Sequence, residues 1–258
     1  VSVDIGSIID PGAAVTALKS MWATHPPETW DHKPMVPLHA TTYDQESDGI
    51  NPYWDIVRQL PLSNTDLGSG HATQVEGYWS GPGQDRLFIS RHELVKTYAW
   101  AIPTPTDIQW IVSVLKGRGV AEIGAGTGYW AWQFTQAGVD VIAVDEFVGD
   151  DNTFCGPTRY HLVHNGGPRT AQQHPDRALM LCWPPYGGLM AAQSLEQYAG
   201  DLLIYIGEPE GGCTADDDFF RLLDSDWNRI GAAPQHVTFS GIHCYVEAYG
   251  RKGVRADV

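Results

Sequence analysis

The sequence predicts an α/β protein: a seven-stranded, mostly parallel, doubly wound sheet with a C-terminal antiparallel hairpin, covered by an irregular, partly helical N-terminal cap. Three observations predict it. From Gly119 onward, short apolar runs alternate with helical stretches, as strand–helix repeats require. The last two runs, "QHVTFSG" and "HCYVEAYG", are joined by only a couple of residues, too few for the crossover a parallel pair needs. Residues 1 to about 85 show no such alternation and are rich in turn formers. Residues 1–103 are therefore expected to form a substrate-covering cap, and residues 104–258 the sheet domain.

In the cap, Pro11, Pro26, Pro27, Pro34, Pro37, Pro52 and Pro61 interrupt the chain. Trp22, Trp30, Tyr43, Tyr53, Trp54, Tyr78 and Trp79 make it too apolar for a disordered tail. Short helices are expected around residues 11–23 and 52–60. A stronger helix opens at "SRHELVKTYAWAI", where Ser90 and Glu93 have capping-box spacing and Leu94, Val95 and Tyr98 follow at helical intervals. "TPTDIQWIVSVLKGRG" repeats the logic: Thr104 caps, Pro105 fits the first turn, and Gly117 and Gly119 end the helix after Lys116. Strands are expected at 119–124, 139–144, 159–164, 177–182, 201–207, 235–240 and 243–249. Asp216, Asp217 and Asp218 suit the start of a further helix through its dipole.

Composition narrows the function. Sixteen basic against thirty-one acidic side chains give a net charge of −15, which repels phosphate backbones, and no basic patch offsets it. No nucleic-acid partner is expected. No window approaches eighteen consecutive apolar residues, so no membrane partner is expected either. Cys155, Cys182, Cys213 and Cys244 form no C-x-x-C pair, which argues for reduced structural thiols and a cytoplasmic setting. No charged-then-apolar signal pattern opens the chain, and the missing initiator Met leads to the expectation of a processed or trimmed start. His161 and His164 are three apart on an expected strand and point to opposite faces, so no metal site is expected. The composition sets no oligomeric state.

The chemistry concentrates in "VAEIGAGTGYWAWQF", where a strand runs through Glu122 into Gly124, Gly126 and Gly128 before a helix opens. Glycines at such a turn admit a ligand close to the backbone, and the helix start offers free N–H groups. The third glycine comes one residue earlier than in the dinucleotide fingerprint, which weakens a nicotinamide dehydrogenase reading. A second strand, "VIAVDEF", ends in Asp145 and Glu146, where a carboxylate can accept both hydroxyl hydrogens of a ribose.

"EIGAGTG" followed by "VIAVDE" resembles the first two motifs of the class I (Rossmann-like) S-adenosylmethionine-dependent methyltransferases, over roughly residues 105–250. The resemblance implies S-adenosylmethionine as cofactor and S-adenosylhomocysteine as product. It implies that Gly124, Gly126 and Gly128 line the methionine and ribose portion with Glu122 at the strand end, that Asp145 holds the ribose hydroxyls, and that Glu146 assists. "FVGDDNTFCGPTRY" does not look like the family's usual second helix. The adenine-binding acid after the third strand is also missing, leaving the amide of Asn165 for that edge.

Strand four ends "LMLCWPPYGG", at the rim where α/β sheets bind ligands. Relatives that methylate adenine in DNA have Asp or Asn before the Pro-Pro pair. Trp183 stands there instead and can donate but not accept. Either Trp183 and Tyr186 stack on an aromatic or cationic acceptor, with the proline carbonyls aimed at it, or Trp183 packs under the cap. Glu208 is expected on the same rim, accepting a proton or pairing with an ammonium, and Tyr98 is expected from the cap helix. His92 and His243 are further candidates for a base, each more in keeping with a surface histidine. The expected function is methyl transfer to a small-molecule amine or an indole-like aromatic carbon or nitrogen, in specialised metabolism. Non-methylation chemistry with the same cofactor, such as an intramolecular cyclisation, and a non-catalytic cofactor-binding scaffold remain alternatives.

Overall fold

The computed structural model describes residues 3–4, 10–29, 36–40, 49–63, 72–80, 87–148 and 152–253; Trp30, Pro34 and Tyr43 of the expected cap lie outside them. The N-terminal part holds β1 (Val3–Asp4), α1 (Pro11–Thr24), α2 (Pro52–Val57), β2 (Ala72–Val75), β3 (Tyr78–Ser80), β4 (Leu87–Ser90) and α3 (Arg91–Thr97). Then come α4 (Pro105–Leu115), β5 (Val120–Ile123), α5 (Tyr129–Gln136), β6 (Val141–Asp145), β7 (Val163–Asn165), β8 (Ala178–Cys182) and α6 (Met190–Gln197). The chain continues through β9 (Leu202–Gly207), α7 (Asp217–Asp226), β10 (Trp227–Ala232), β11 (His236–Phe239) and β12 (Tyr245–Arg251).

Seven strands form the main sheet in the order β10-β12-β9-β8-β5-β6-β7. The five from β9 to β7 are parallel, and β12 is antiparallel to both β9 and β10. The strand count agrees with the sequence reading, but the strand expected at 159–164 forms later, at Val163–Asn165, and one member of the sheet differs. The run at 235–240 leaves this sheet: β11 pairs in parallel with β2, His236 opposite Ala72 and Phe239 opposite Val75. Its place as the antiparallel partner is taken by β10, which packs little of its length and carries a register shift between Arg229 and Gly231. Burial explains the exchange. All four residues of β11 are buried, as a strand covered on both sides requires, whereas β10 is an exposed edge.

Alternation along the strands covers both sheet faces. Met180, Ile204, Ile206 and Val246 pack against Ile111, Leu115 and Trp130 of α4 and α5. Leu179, Leu181, Leu203 and Tyr205 pack against Ala191, Leu195 and Phe219 of α6 and α7. A further core joins Leu18, Trp54, Val75, Leu94 and Tyr98 of the N-terminal part to Tyr129 of α5 and to Val237 and Phe239 of β11.

Helix ends mostly follow the sequence. Thr104 caps α4 through the Asp107 N–H at 3.0 Å, and Asp107 accepts in return from the Thr104 N–H at 3.2 Å, a reciprocal box. Asp216 caps α7 through the Phe219 N–H. Ser90 makes no side-chain cap, because β4 runs straight into α3 there. Asp107 has a second partner: it accepts from His236 Nδ1 at 2.8 Å, and both side chains are fully enclosed. No helix among the described residues is long and apolar enough to cross a membrane.

Candidate active site

A cavity of about 400 Å³ opens at the carboxyl ends of β5, β6 and β8, where parallel sheets present their ligand sites. One wall is the loop from β5 to α5. Gly124 and Gly126 line it with φ of 80° and 55°, a conformation that only glycine adopts without cost. Gly128 also has positive φ, but it turns away from the cavity. A Cβ there would stand 3.0 Å from His161 Cβ and from Val163 Cγ2, so this glycine serves the seating of α5 against β7. The loop is fixed from outside by Thr127, whose hydroxyl donates to the carbonyl of Tyr98.

Asp145 sits at the tip of β6, buried and on the cavity wall. Its Oδ2 accepts from the Gly126 N–H at 2.8 Å; its Oδ1 accepts from the Phe147 N–H at 2.9 Å and from Asn152 Nδ2 at 3.3 Å. The carboxylate therefore holds both flanking loops and still faces the cavity. Asn152, which the sequence reading missed, also lines it; only its place in an acidic loop, "GDDNTF", hinted at a polar anchor. Glu146 lines the same wall, while the Asn165 side chain is exposed, donates to the Glu146 carbonyl at 3.4 Å and does not line the cavity. Its neighbours Gly166 to Pro168 do. Among the described residues no helix lies between β6 and β7.

Glu122 contributes the most unusual group. It is 2 % exposed, lines the cavity, and its Oε2 has no hydrogen-bond partner. Burial, with the Asp145 charge adding to it, pushes its carboxyl up to about 8. Glu122 is thus protonated at neutral pH.

The other end of the cavity is aromatic. Trp183 has φ of 50°, a strained setting for a bulky residue. Its indole stacks on Trp100 with centroids 5.5 Å apart, and its N–H donates to Cys244 Sγ at 3.3 Å. Trp183 thus packs against Trp100 of the N-terminal segment and also lines the cavity. The Pro184 carbonyl is not aimed at a substrate, because it accepts from the Ala215 N–H at 2.9 Å. Tyr186 lines the cavity but is 71 % exposed, as the largely exposed Phe147 and Phe154 on its wall also are. Tyr98 enters from the end of α3 and is buried between Tyr53 and Tyr160. All four cysteines are free thiols, and Cys155, Cys182 and Cys213 line the cavity.

Glu208 is not on the rim. It is buried, with Oε2 accepting from the Cys213 N–H at 2.7 Å and Oε1 from the His243 N–H at 2.8 Å. It therefore ties two loops together rather than meeting an ammonium. Glu208→Ala is expected to cost about 3 kcal/mol of stability, the low end for the loss of two charge-assisted bonds, read by urea unfolding with an unchanged m-value. Among the described residues, no group of three or more His, Cys, Asp or Glu converges as a metal site.

The chain matches no family model and no curated protein. Among solved structures it is similar to magnesium protoporphyrin IX methyltransferase from Synechocystis, solved with bound S-adenosylmethionine, at 15 % identity over 56 % of this chain and 76 % of that one, TM-score 0.35. It is also similar to 1,6-didemethyltoxoflavin-N1-methyltransferase from Burkholderia thailandensis, at 14 % identity over 56 % and 78 %, TM-score 0.36. A third similarity is to a putative RNA methyltransferase from Pyrococcus horikoshii, at 16 % identity over 58 % and 84 %, TM-score 0.36.

Proposed function

We propose that this chain is a class I methyltransferase that moves a methyl group from S-adenosylmethionine to a small-molecule acceptor, an amine or an indole-like aromatic carbon or nitrogen, in specialised metabolism. One observation carries the reading: positive-φ glycines, a loop-bound carboxylate and a buried glutamate with an unpartnered oxygen converge on a cavity that tryptophans also wall. The cofactor, when bound, supplies the electrophilic sulfonium methyl. Gly124 and Gly126 bring the backbone close to it, Asp145 accepts from its ribose hydroxyls with Glu146 beside, and Glu122 stands by its methionine ammonium. Asn165 is left out of the contacts, since its side chain lies outside the cavity.

What the protein adds is alignment and dryness. Trp100 and Trp183 offer flat apolar faces that hold an aromatic acceptor and keep water from the reacting pair. In this division of labour, residues 104–258 hold the cofactor and residues 1–103 cover the acceptor.

Glu122 provides the test. Its raised pKa means that the free protein holds a proton there between pH about 4.5 and 8, which the unfolded chain has released. Folded-state stability therefore falls as pH rises through that window. An ammonium bound beside Glu122 favours its ionised form, so S-adenosylhomocysteine should bind in the micromolar range with release of a proton at pH 7. Calorimetric titration in buffers of different ionisation enthalpy reads that proton, and Glu122→Gln should abolish it. No binding of S-adenosylhomocysteine would overturn the proposal; binding of NADH instead would redirect it to hydride chemistry.

A further inference from the structure

Asp145 already serves more donors than a ribose leaves room for. Its carboxylate accepts from the Gly126 N–H at 2.8 Å, from the Phe147 N–H at 2.9 Å and from Asn152 Nδ2 at 3.3 Å. A carboxylate offers about four acceptor sites. Two ribose hydroxyls would need two of them, so one of the protein donors must withdraw when a ribose is held. The Asn152 amide makes the longest of the three bonds and stands on a rotatable side chain, whereas the other two donors belong to the backbone. Asn152 is the group that yields.

The other end of Asn152 leads across the cavity. The residue is buried and lines the wall. Its Oδ1 accepts from the Phe154 N–H at 2.9 Å, a turn closed by its own side chain. These partners fix which end of the amide is which, because ionised Asp145 only accepts and a backbone N–H only donates. The Phe154 carbonyl then accepts from the Trp100 indole N–H at 2.7 Å, and Trp100 stacks on Trp183. One run of bonds therefore joins the carboxylate on β6 to the tryptophan pair. Just beyond it the chain is anchored: the Gly156 N–H donates to the Lys96 carbonyl at 2.8 Å, and Cys155 lies 4.0 Å from where a Cβ on Gly126 would stand.

We propose that Asn152 is a positioning residue that couples the two ends of the cavity: a cofactor ribose displaces its amide from Asp145, and the released 152–154 segment resets the Trp100 indole against Trp183. This rests on the methyl-transfer reading for the cofactor. In the free protein the two indoles cover each other, and the link to Asp145 holds them so. The anchors at Cys155 and Gly156 keep the change local. Because the link is a coupling between two binding events, cofactor and acceptor raise each other's affinity by the same factor.

Asn152→Ser tests the link. Serine keeps the local turn, since its hydroxyl accepts from the same N–H, but it is too short to reach Asp145. The probe is S-adenosylhomocysteine, titrated by calorimetry. The reporter is the Trp100 indole N–H resonance in two-dimensional NMR, assigned by its absence in Trp100→Phe. In the unmutated protein the ligand should shift that resonance. In Asn152→Ser the resonance should stand near the shifted position before any ligand is added and move little at saturation. The Kd should fall about three- to ten-fold, because no donor has to be displaced. An Asn152 that merely held the loop in shape would give the opposite pattern, with affinity lost and Trp100 still responding. That pattern, or a Trp100 resonance unmoved at saturation in the unmutated protein, overturns the coupling and leaves the cofactor reading intact. If S-adenosylhomocysteine binds neither protein, the cofactor reading falls and the coupling falls with it. Should Asn152→Ser fail to fold, the response of Trp100 in the unmutated protein decides.

Discussion

Asp145→Ala should weaken S-adenosylhomocysteine binding by about two to three orders of magnitude, the largest loss from any single side chain on the cavity wall. Two effects combine. The carboxylate offers charged acceptors to the ribose hydroxyls, each such bond worth about 1.5–3 kcal/mol, which converts to a hundred-fold or more in Kd. It also holds the glycine loop through the Gly126 N–H and the next loop through Phe147 and Asn152. Asp145→Asn separates them, because an amide of the same shape keeps one acceptor for the loops but loses the charge. Titration calorimetry on both variants gives the split. Wild-type affinity in Asp145→Ala would remove Asp145 from the cofactor site.

Asp107→Ala should be the most damaging change to stability, about 3–5 kcal/mol, the range for removing one member of a buried ion pair. For a chain of this length that is a fall in Tm on the order of 10 °C. The substitution strips α4 of its reciprocal cap and leaves the His236 imidazole enclosed without its anion. Burial by itself lowers the pKa of His236, but the attraction of Asp107 outweighs it and lifts the imidazole to about 10. The sign follows. Above pH about 6.5 the unfolded chain gives up a proton that the folded chain keeps, so this contribution is complete below 6.5 and is lost as pH rises through 10. Asp107→Asn keeps the cap and should flatten that part of the stability profile, measured by urea unfolding from pH 6 to 10.

What was legible in the sequence was local. Gly124, Gly126 and Asp145 could be read because a strand, a tight turn and a helix start constrain residues only a few positions apart. β5, β6, β8 and β9 announced themselves as short apolar runs for the same reason. What failed depended on partners distant in sequence. β10 begins with Trp227 yet exposes Asn228, Arg229 and Ile230, so no apolar pattern marks it as a strand; only β12 beside it makes it one. Glu208 looks like a rim acid until the N–H groups of Cys213 and His243 are found on it. Gly128 belongs to the motif, but its neighbours His161 and Val163 assign it to packing.

The pairing of β2 with β11 bears on how the chain reaches this state. Ala72–Val75 waits for His236–Phe239, which lies far downstream in the sequence. Closing so long a loop is entropically slow. Val75 meanwhile lacks the cover that Val237 and Phe239 give the shared core. The glycine loop, by contrast, draws on strands close in sequence. Cofactor-binding competence should thus appear early in refolding, and the aromatic end of the cavity should become ordered last.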